Sequence, residues 1–384
     1  PKAIEKTIDL KKLYDKLNQD KASLLEYFVG QNTIYTFVVS NNKITLNTIE
    51  NSEINKNKII KFIDFFATPN AITDDIAGYN LTANVACKIL YIPKKTSNKN
   101  LIIIPDGLLN FLPFEALITK NLATTNFAKM NYLMKDFVVS YNNSAGFYLD
   151  TKPLLNKNTV LGIFPIFEKT DYELTFSKTE MQAIKKNFKG NFFDDSKATF
   201  NNFKNNANLF SILHLSTHAD AGDTESPAII KFYDQDILYS ELYNLKINPD
   251  LVVLSACQTG IGKLYQSEGA MSIARGFQAA GAQNLMFSLW KVNDFTTSVL
   301  MADFYNNIKK NQSFANANRQ SKLDFLVDKT IPNAKKSPYY WSAFVYYGTL
   351  EKPATNYWIW VVGIIVLVLC GWILVKIIFK KTNI

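Results

Sequence analysis

Leu251–Asp294 reads LVVLSACQTGIGKLYQSEGAMSIARGFQAAGAQNLMFSLWKVND, and its interpretation decides the fold. Leu251-Val252-Val253-Leu254 is a short, apolar, β-branched run, the pattern of a strand buried on both faces of a parallel sheet. It ends at Ser255-Ala256-Cys257-Gln258-Thr259-Gly260, where the chain must turn out of the sheet. A cysteine at that end sits where open α/β sheets form their ligand crevices. A helix is predicted from about Glu268 to Ala280, with an acid in its first turn and Gly281 as its C-cap. Its small residues Ala270, Ala274, Gly276 and Ala279 let it lie close to a sheet. Asn284–Ser288 is a second buried strand and completes a βαβ unit.

Upstream, Leu209–Ala219 (LFSILHLSTHA) is another apolar strand with a polar end, and it contains both histidines of the chain. Alternation puts His214 and Leu215 on opposite faces, with His218 just past the strand end. His214 is predicted to be a packed strand residue. His218 and Cys257 are predicted to meet at the C-terminal ends of neighbouring strands, where a thiol finds the base it needs to become a thiolate near neutral pH. The order is His before Cys, as in caspases and opposite to papain-like enzymes.

LHLSTHA, VVLSACQTGIGK and FSLWKVNDFTT together resemble the CHAT family of caspase-like peptidases. LLEYFVG, LIIIPDGLLNFLPFEAL, YLMKDFVVSYNNSA, LMADFYNNI and SPYYWSAFVYYG are similar to further family segments in the same order, so the likeness covers roughly residues 20 to 350. Two departures stand out: Gln258 where many relatives have an acid, and Ala219 where caspases have glycine. The resemblance implies an α/β caspase-like sandwich with an N-terminal pseudo-protease half and a catalytic half, bounded here as 21–150 and 151–352. It implies a cysteine endopeptidase acting on a protein or peptide through a His218–Cys257 dyad, with the backbone N–H groups of Cys257 and Ala219 as oxyanion hole. It also implies an upstream tetratricopeptide repeat region that senses a protein partner; residues 1–20, with helical spacing at Ile8, Leu10, Leu13 and Leu17, read as its end. Ser288–Asp294 is similar to the corresponding stretch of separase, a relative that cuts after arginine. Asp294, with Trp290 and Ser255, is therefore a candidate substrate-binding residue, although Asp294 is also placed to N-cap the following helix, and the two roles are not exclusive. Two other classes stay open: a membrane signalling scaffold that keeps the fold but hydrolyses little, and a different thiol enzyme such as an amidotransferase.

The rest of the composition narrows the classes. The net charge of +9 is scattered over lysines in loops, with no aromatic-interleaved basic stripe, which argues against a nucleic-acid partner. Three cysteines, Cys87, Cys257 and Cys370, form no disulfide framework and no metal spacing, so no metal or cofactor is expected. Tyr357–Phe379 is an apolar run of about 23 residues, enough for a transmembrane helix of roughly 34 Å. Tyr357, Trp358, Trp360 and Trp372 read as interfacial anchors, and Cys370 as structural. Lys376, Lys380 and Lys381 follow or end the run, which favours a cytoplasmic tail and a protease domain on the periplasmic side.

Between these landmarks, Leu24–Val29, Thr33–Val39 and Ile44–Thr48 are predicted strands, the last two a hairpin about Asn41-Asn42. Helices are predicted at Glu53–Ala67 and Ile72–Tyr91, the latter placing Cys87 on a core face with Leu81, Val85 and Ile89. Leu101–Ile104 and Phe137–Tyr141 are strands, and Val160–Phe164 is expected to begin a second sheet. Ser177-Lys178-Thr179-Glu180 reads as a capping box opening a helix. The loop Asp220–Pro227, acidic and glycine-containing, reads as an exposed connection or as a segment that binds substrate. Helices near 295–309 and 313–328 precede a final strand within 341–347.

Overall fold

A computed structural model describes residues 7–93, 98–155, 157–220, 222, 226–255 and 269–351. The apolar runs pair into one large mixed sheet, because strands that are apolar on both faces are buried only inside a sheet covered by helices on both sides. Its strands are β1 (Ala22–Val29), β2 (Thr33–Ser40), β3 (Lys43–Glu50), β4 (Asn100–Ile104), β5 (Val138–Tyr141), β6 (Thr159–Phe164), β7 (Lys189–Asp194), β8 (Ile212–Leu215), β9 (Leu251–Leu254), β10 (Leu285–Ser288) and β11 (Phe344–Tyr347). The spatial order is β3-β2-β1-β4-β5-β11-β10-β9-β8-β6-β7. Packed around them are α1 (Leu10–Gln19), α2 (Glu53–Asp64), α3 (Ile76–Ile89), α4 (Ser177–Asn187), α5 (Gly269–Ala280), α6 (Asp294–Lys309) and α7 (Phe314–Val327).

Strand direction decides where chemistry can be built. Strands β6 to β10 run parallel to one another, whereas β11 is antiparallel to β10 and parallel to β5. The N-terminal strands β1, β4 and β5 therefore bring their N-terminal ends to the edge at which β8, β9 and β10 end. Apart from β2, which runs antiparallel to β1, only strands of the second half present their C-termini there, which is where such sheets place their ligand crevices.

The expected second sheet is not separate: β6 belongs to the same sheet as β1. The bridge is β11, inserted between β5 and β10 from far along the chain. It touches β5 through the pair Tyr347 and Tyr141, whose rings stack at 5.2 Å. Ser140 Oγ donates to the Gly348 carbonyl (2.7 Å) and Gly348 N to the Tyr141 carbonyl (3.0 Å). Beneath the junction lies a buried triad in which Lys322 Nζ donates to Glu115 Oε1 (3.0 Å) and Tyr141 Oη donates to Glu115 Oε2 (2.5 Å).

The β2–β3 hairpin turns at Asn41 and Asn42, both at positive φ (52° and 57°), as a tight two-residue turn requires. The helix expected over Ile72–Tyr91 is interrupted at Asp75, whose carboxylate caps Gly78 N at 2.8 Å and starts α3 afresh. The buried face of α3 is Tyr79, Ala83, Ala86 and Cys87, while Leu81 points outward. The βαβ unit of the opening stretch forms, with α5 ending before Gly281 at φ +120°. A Cβ on Gly281 would lie 2.0 Å from the Ile247 carbonyl oxygen, so only glycine fits there.

The chain divides into two units, Pro1–Lys352 and Pro353–Ile384, and the second lies outside the described residues. With it go the apolar run Tyr357–Phe379 and Cys370. Among the described residues no helix is long and apolar enough to cross a membrane.

Candidate active site

β8 ends at Leu215, and the three residues after it are anchored one by one. Ser216 N donates to the Ile163 carbonyl (2.9 Å), extending the ladder to β6. The Thr217 hydroxyl donates to the Lys231 carbonyl, and Lys231 N donates to the His218 carbonyl (2.9 Å). His218 thus stands at the sheet edge on a backbone fixed from both sides. Its Nε2 lies 2.7 Å from the Tyr172 carbonyl oxygen. A carbonyl can only accept, so Nε2 carries the proton and Nδ1 is left as the base. The ring is flanked by Phe167 at 5.7 Å and, edge-on, by Tyr172 at 5.8 Å, and Lys231 Nζ sits 5.3 Å above the Tyr172 ring.

The loop that delivers the Tyr172 carbonyl is strained. Ile166, Phe167 and Lys169 have φ of 53°, 57° and 63°. Left-handed backbone costs a non-glycine residue about 1–2 kcal/mol, and a β-branched residue such as Ile166 rarely adopts it. The Leu174 N–H bond to the Ile166 carbonyl (2.8 Å) pins the turn.

β9, the strand that leads to Cys257, lies directly beside β8 in parallel register. Ser255 N donates to the Leu215 carbonyl (2.9 Å), so the two strand ends run side by side past the sheet. Ser255 is buried, and its hydroxyl has no hydrogen-bond partner among the described residues. Cys257 and Gln258 lie outside the described residues. Ala219 is buried and starts a short strand paired with Ile230. Among the described residues no cluster of potential ligands could hold a metal ion.

Asp294 stands differently from the expected cap. α6 begins at Asp294 itself, and its N-cap is Asn293, whose side chain accepts from Thr296 N at 3.2 Å. Asp294 instead reaches sideways, and its Oδ2 accepts from Phe176 N at 2.9 Å. Burial pushes its carboxyl above the usual aspartate range; the Phe176 N–H opposes this, Glu180 adds to it, and His218 pulls it down. The half-buried carboxylate is therefore within electrostatic range of His218. Phe176 and Phe295 meet edge-on at 5.5 Å next to it, both exposed. Trp290 does not join this group: it is 1% exposed, packs on Phe66 at 4.8 Å and donates from Nε1 to the Tyr339 carbonyl (3.0 Å). Its indole is packed in the core rather than at the surface of the site.

Directly under the site, His214 is fully buried, as expected of a packed strand residue, but it has polar company. Its Nδ1 lies 2.9 Å from Tyr305 Oη, and its Nε2 lies 3.0 Å from Glu180 Oε1 without aligned hydrogen-bond geometry. The ring of Phe164 stacks on it at 5.2 Å. Glu180 and Ser177 do not form the expected capping box. The N-cap of α4 is Phe176 with no side-chain cap bond, and Glu180 points inward, accepting from the Ser216 hydroxyl at 2.9 Å. The SKTE pattern permits either arrangement. Neither the Tyr172 carbonyl nor Glu180 was identified as part of the site from sequence, the former because a backbone group leaves no residue signature.

Several known proteins are similar. A chain of the Saccharomyces cerevisiae separase–securin complex shares the fold with a TM-score of 0.52 at 10% identity, over 88% of this chain and 30% of that chain. This chain thus spans less than a third of the length of that relative. The complex of Porphyromonas gingivalis RgpB pro- and mature domains aligns with a TM-score of 0.44 at 11% identity, over 78% of this chain and 77% of that one. The Arg-specific cysteine proteinase gingipain R aligns at 0.43 and 10% identity, over 79% and 76%. No curated protein sequence matches the chain. The large mixed sheet is of the kind found in that separase–securin chain. Residues 71–349, well over half of the sequence, match the CHAT domain, and the chain belongs to the CHAT domain family.

Proposed function

We propose that this protein is a cysteine endopeptidase with Cys257 as nucleophile and His218 as general base, acting on a protein or peptide substrate. The observation that carries the reading is His218 itself: a ring at the end of β8 whose proton is held on Nε2 by the Tyr172 carbonyl, beside the strand that leads to the cysteine. In this mechanism Nδ1 takes the thiol proton, and the thiolate forms a C–S bond to the peptide carbonyl carbon. The backbone N–H groups of Cys257 and Ala219 stabilise the oxyanion, a donor of this kind contributing about 3 kcal/mol. The C–N bond then breaks as the imidazolium returns its proton to the departing amine. Water, deprotonated by His218, hydrolyses the thioester and restores the thiol.

Asp294 reads a basic side chain before the scissile bond in this scheme. Its half-buried position near His218 and the neighbouring Phe176 and Phe295 rings support that role, since a carboxylate pairs with a guanidinium in charge-assisted bonds and aromatic faces attract it. Ser255 borders the same edge. Residues 21–150 act as a pseudo-protease half and 151–352 as the catalytic half. The run 357–379 tethers the enzyme to a membrane with the peptidase on the periplasmic side, and an upstream repeat region binds the partner that switches it on.

Digestion of a peptide library by the full chain tests the proposal. Cys257→Ala and His218→Ala each abolish cleavage while Cys87→Ser retains it; wild-type turnover by Cys257→Ala overturns the dyad. Asp294→Asn, which keeps an acceptor for Phe176 N, loses cleavage selectively after basic residues. Protection of the domain from external protease in cells with an intact outer barrier, lost on permeabilisation, tests the membrane side.

A further inference from the structure

Three hydroxyl groups, of Tyr305, Ser216 and Ser177, form a buried network with His214 and Glu180 in the layer beneath His218. Tyr305 is fully buried, and burial holds its phenol well above the ordinary tyrosine range, so it keeps its proton and donates it to His214 Nδ1. His214 must then carry its own proton on Nε2, the nitrogen 3.0 Å from Glu180 Oε1. The Ser216 hydroxyl donates to Glu180 Oε2 (2.9 Å), which leaves the Ser177 hydroxyl as donor to Ser216 Oγ (2.9 Å). Oε2 of Glu180 thus accepts from the Ser216 hydroxyl, while Oε1 lies 3.0 Å from His214 Nε2 without an aligned hydrogen bond. Glu180 is 1% exposed, and His214, Ser177, Ser216 and Tyr305 are all buried.

A buried carboxylate beside a buried imidazole adds little to stability that apolar side chains of the same volume would not supply. Its placement is informative instead. Ser216 lies two residues before His218 on the same extended segment, and Ser177 follows Phe176, whose N–H holds Asp294. The charged and titratable groups around Glu180 are His214 on β8 and Asp294 and Tyr305 on α6, and Asp294 in turn lies within electrostatic range of His218.

We propose that Glu180 and His214 are positioning residues of the site: a buried carboxylate–imidazole pair that grips the Ser216 hydroxyl and so holds the His218 ring with Nε2 on the Tyr172 carbonyl and Nδ1 as base. The proposal rests on the peptidase reading only in taking His218 as that base. It assigns no contact with substrate to either residue.

The chain has two histidines, so ring-15N histidine labelling of the full protein gives two imidazoles to follow. In the wild type both rings show a single tautomer protonated at Nε2. In Ser216→Ala and in Glu180→Gln the His218 ring is expected to lose that signature and show averaged nitrogen shifts, while the far-UV spectrum is retained. On a cleaved peptide, kcat is expected to fall about tenfold with KM within about twofold, the split of a misplaced group rather than lost binding. Ser216→Ala, a one-atom deletion, carries the test if Glu180→Gln does not fold. An unchanged His218 tautomer in a folded Ser216→Ala protein overturns the proposal. Absence of any cleavage by the wild type overturns the peptidase reading, and the tautomer comparison still decides this one.

Discussion

Replacing Lys322 with methionine removes the cation from the buried triad under the β5–β11 junction while keeping all but the last atom of the side chain's length. Lys322 is 1% exposed and donates to Glu115 Oε1 (3.0 Å) and to the Phe344 carbonyl (2.6 Å). Burial pulls its ammonium below the ordinary lysine range and Glu115 pushes back. Without it, the buried Glu115 carboxylate keeps the Tyr141 hydroxyl as its donor and loses the opposite charge. Breaking such a pair from one side costs about 3–5 kcal/mol. For a unit of roughly 350 residues, at about 2.1 cal/mol/K of unfolding entropy per residue, that corresponds to a fall in Tm of about 5 °C. Scanning calorimetry of the single variant and of the double variant Lys322→Met with Glu115→Gln measures both. The double variant removes both charges and leaves a neutral carboxamide to accept from Tyr141, so it should recover at least half of the loss. A single-variant cost below about 1 kcal/mol, the range of exposed pairs, or a double variant no better than the single, refutes the reasoning.

Other expectations are checked more simply. Burial, with Asp324 and Asp328 adding, raises Asp303 to about 6. Because this is above its unfolded value, the group favours the folded state below about pH 4, and that contribution is lost as pH rises through about 6. Asp303→Asn is thus expected to add about 1 kcal/mol at neutral pH, after discounting for partial exposure, and nothing near pH 4; urea titrations at both values decide it, and an equal gain at both sinks the idea. Burial pushes the Cys87 thiol up to about 11, so iodoacetamide at pH 8 should label it only after unfolding, as read by peptide mass spectrometry. Gly281→Ala places a Cβ against the Ile247 carbonyl at positive φ and should cost more than about 2 kcal/mol in denaturant unfolding, whereas a cost under about 1 kcal/mol would mean the α5–β10 turn relaxes freely.

Features that depend on a few neighbouring residues were legible in the sequence. Leu251–Leu254 and Leu285–Ser288 announce parallel strands because no polar residue interrupts them, and Gly281 ends the helix between them because it alone tolerates that backbone. Asn41-Asn42 sets the hairpin for the same local reason. The alternation in LFSILHLSTHA placed His214 inside and His218 at the edge, and β8 does lie beside β9.

Tertiary packing decided the rest. The SKTE box and the Asp294 cap were each a sound local option worth about 1 kcal/mol. Such an increment yields when a better-buried partner is in reach: Glu180 turned to Ser216 and His214, and Asp294 to Phe176 N once Asn293 had capped α6. Trp290, followed by Lys291 in sequence, was taken into the core because a large ring gains more from burial than exposure allows. That one sheet spans the chain depends on β11 meeting β5, a strand from the other half of the sequence. No local pattern encodes such a pairing, because the free energy that selects it comes from burying both strands together in a covered sheet.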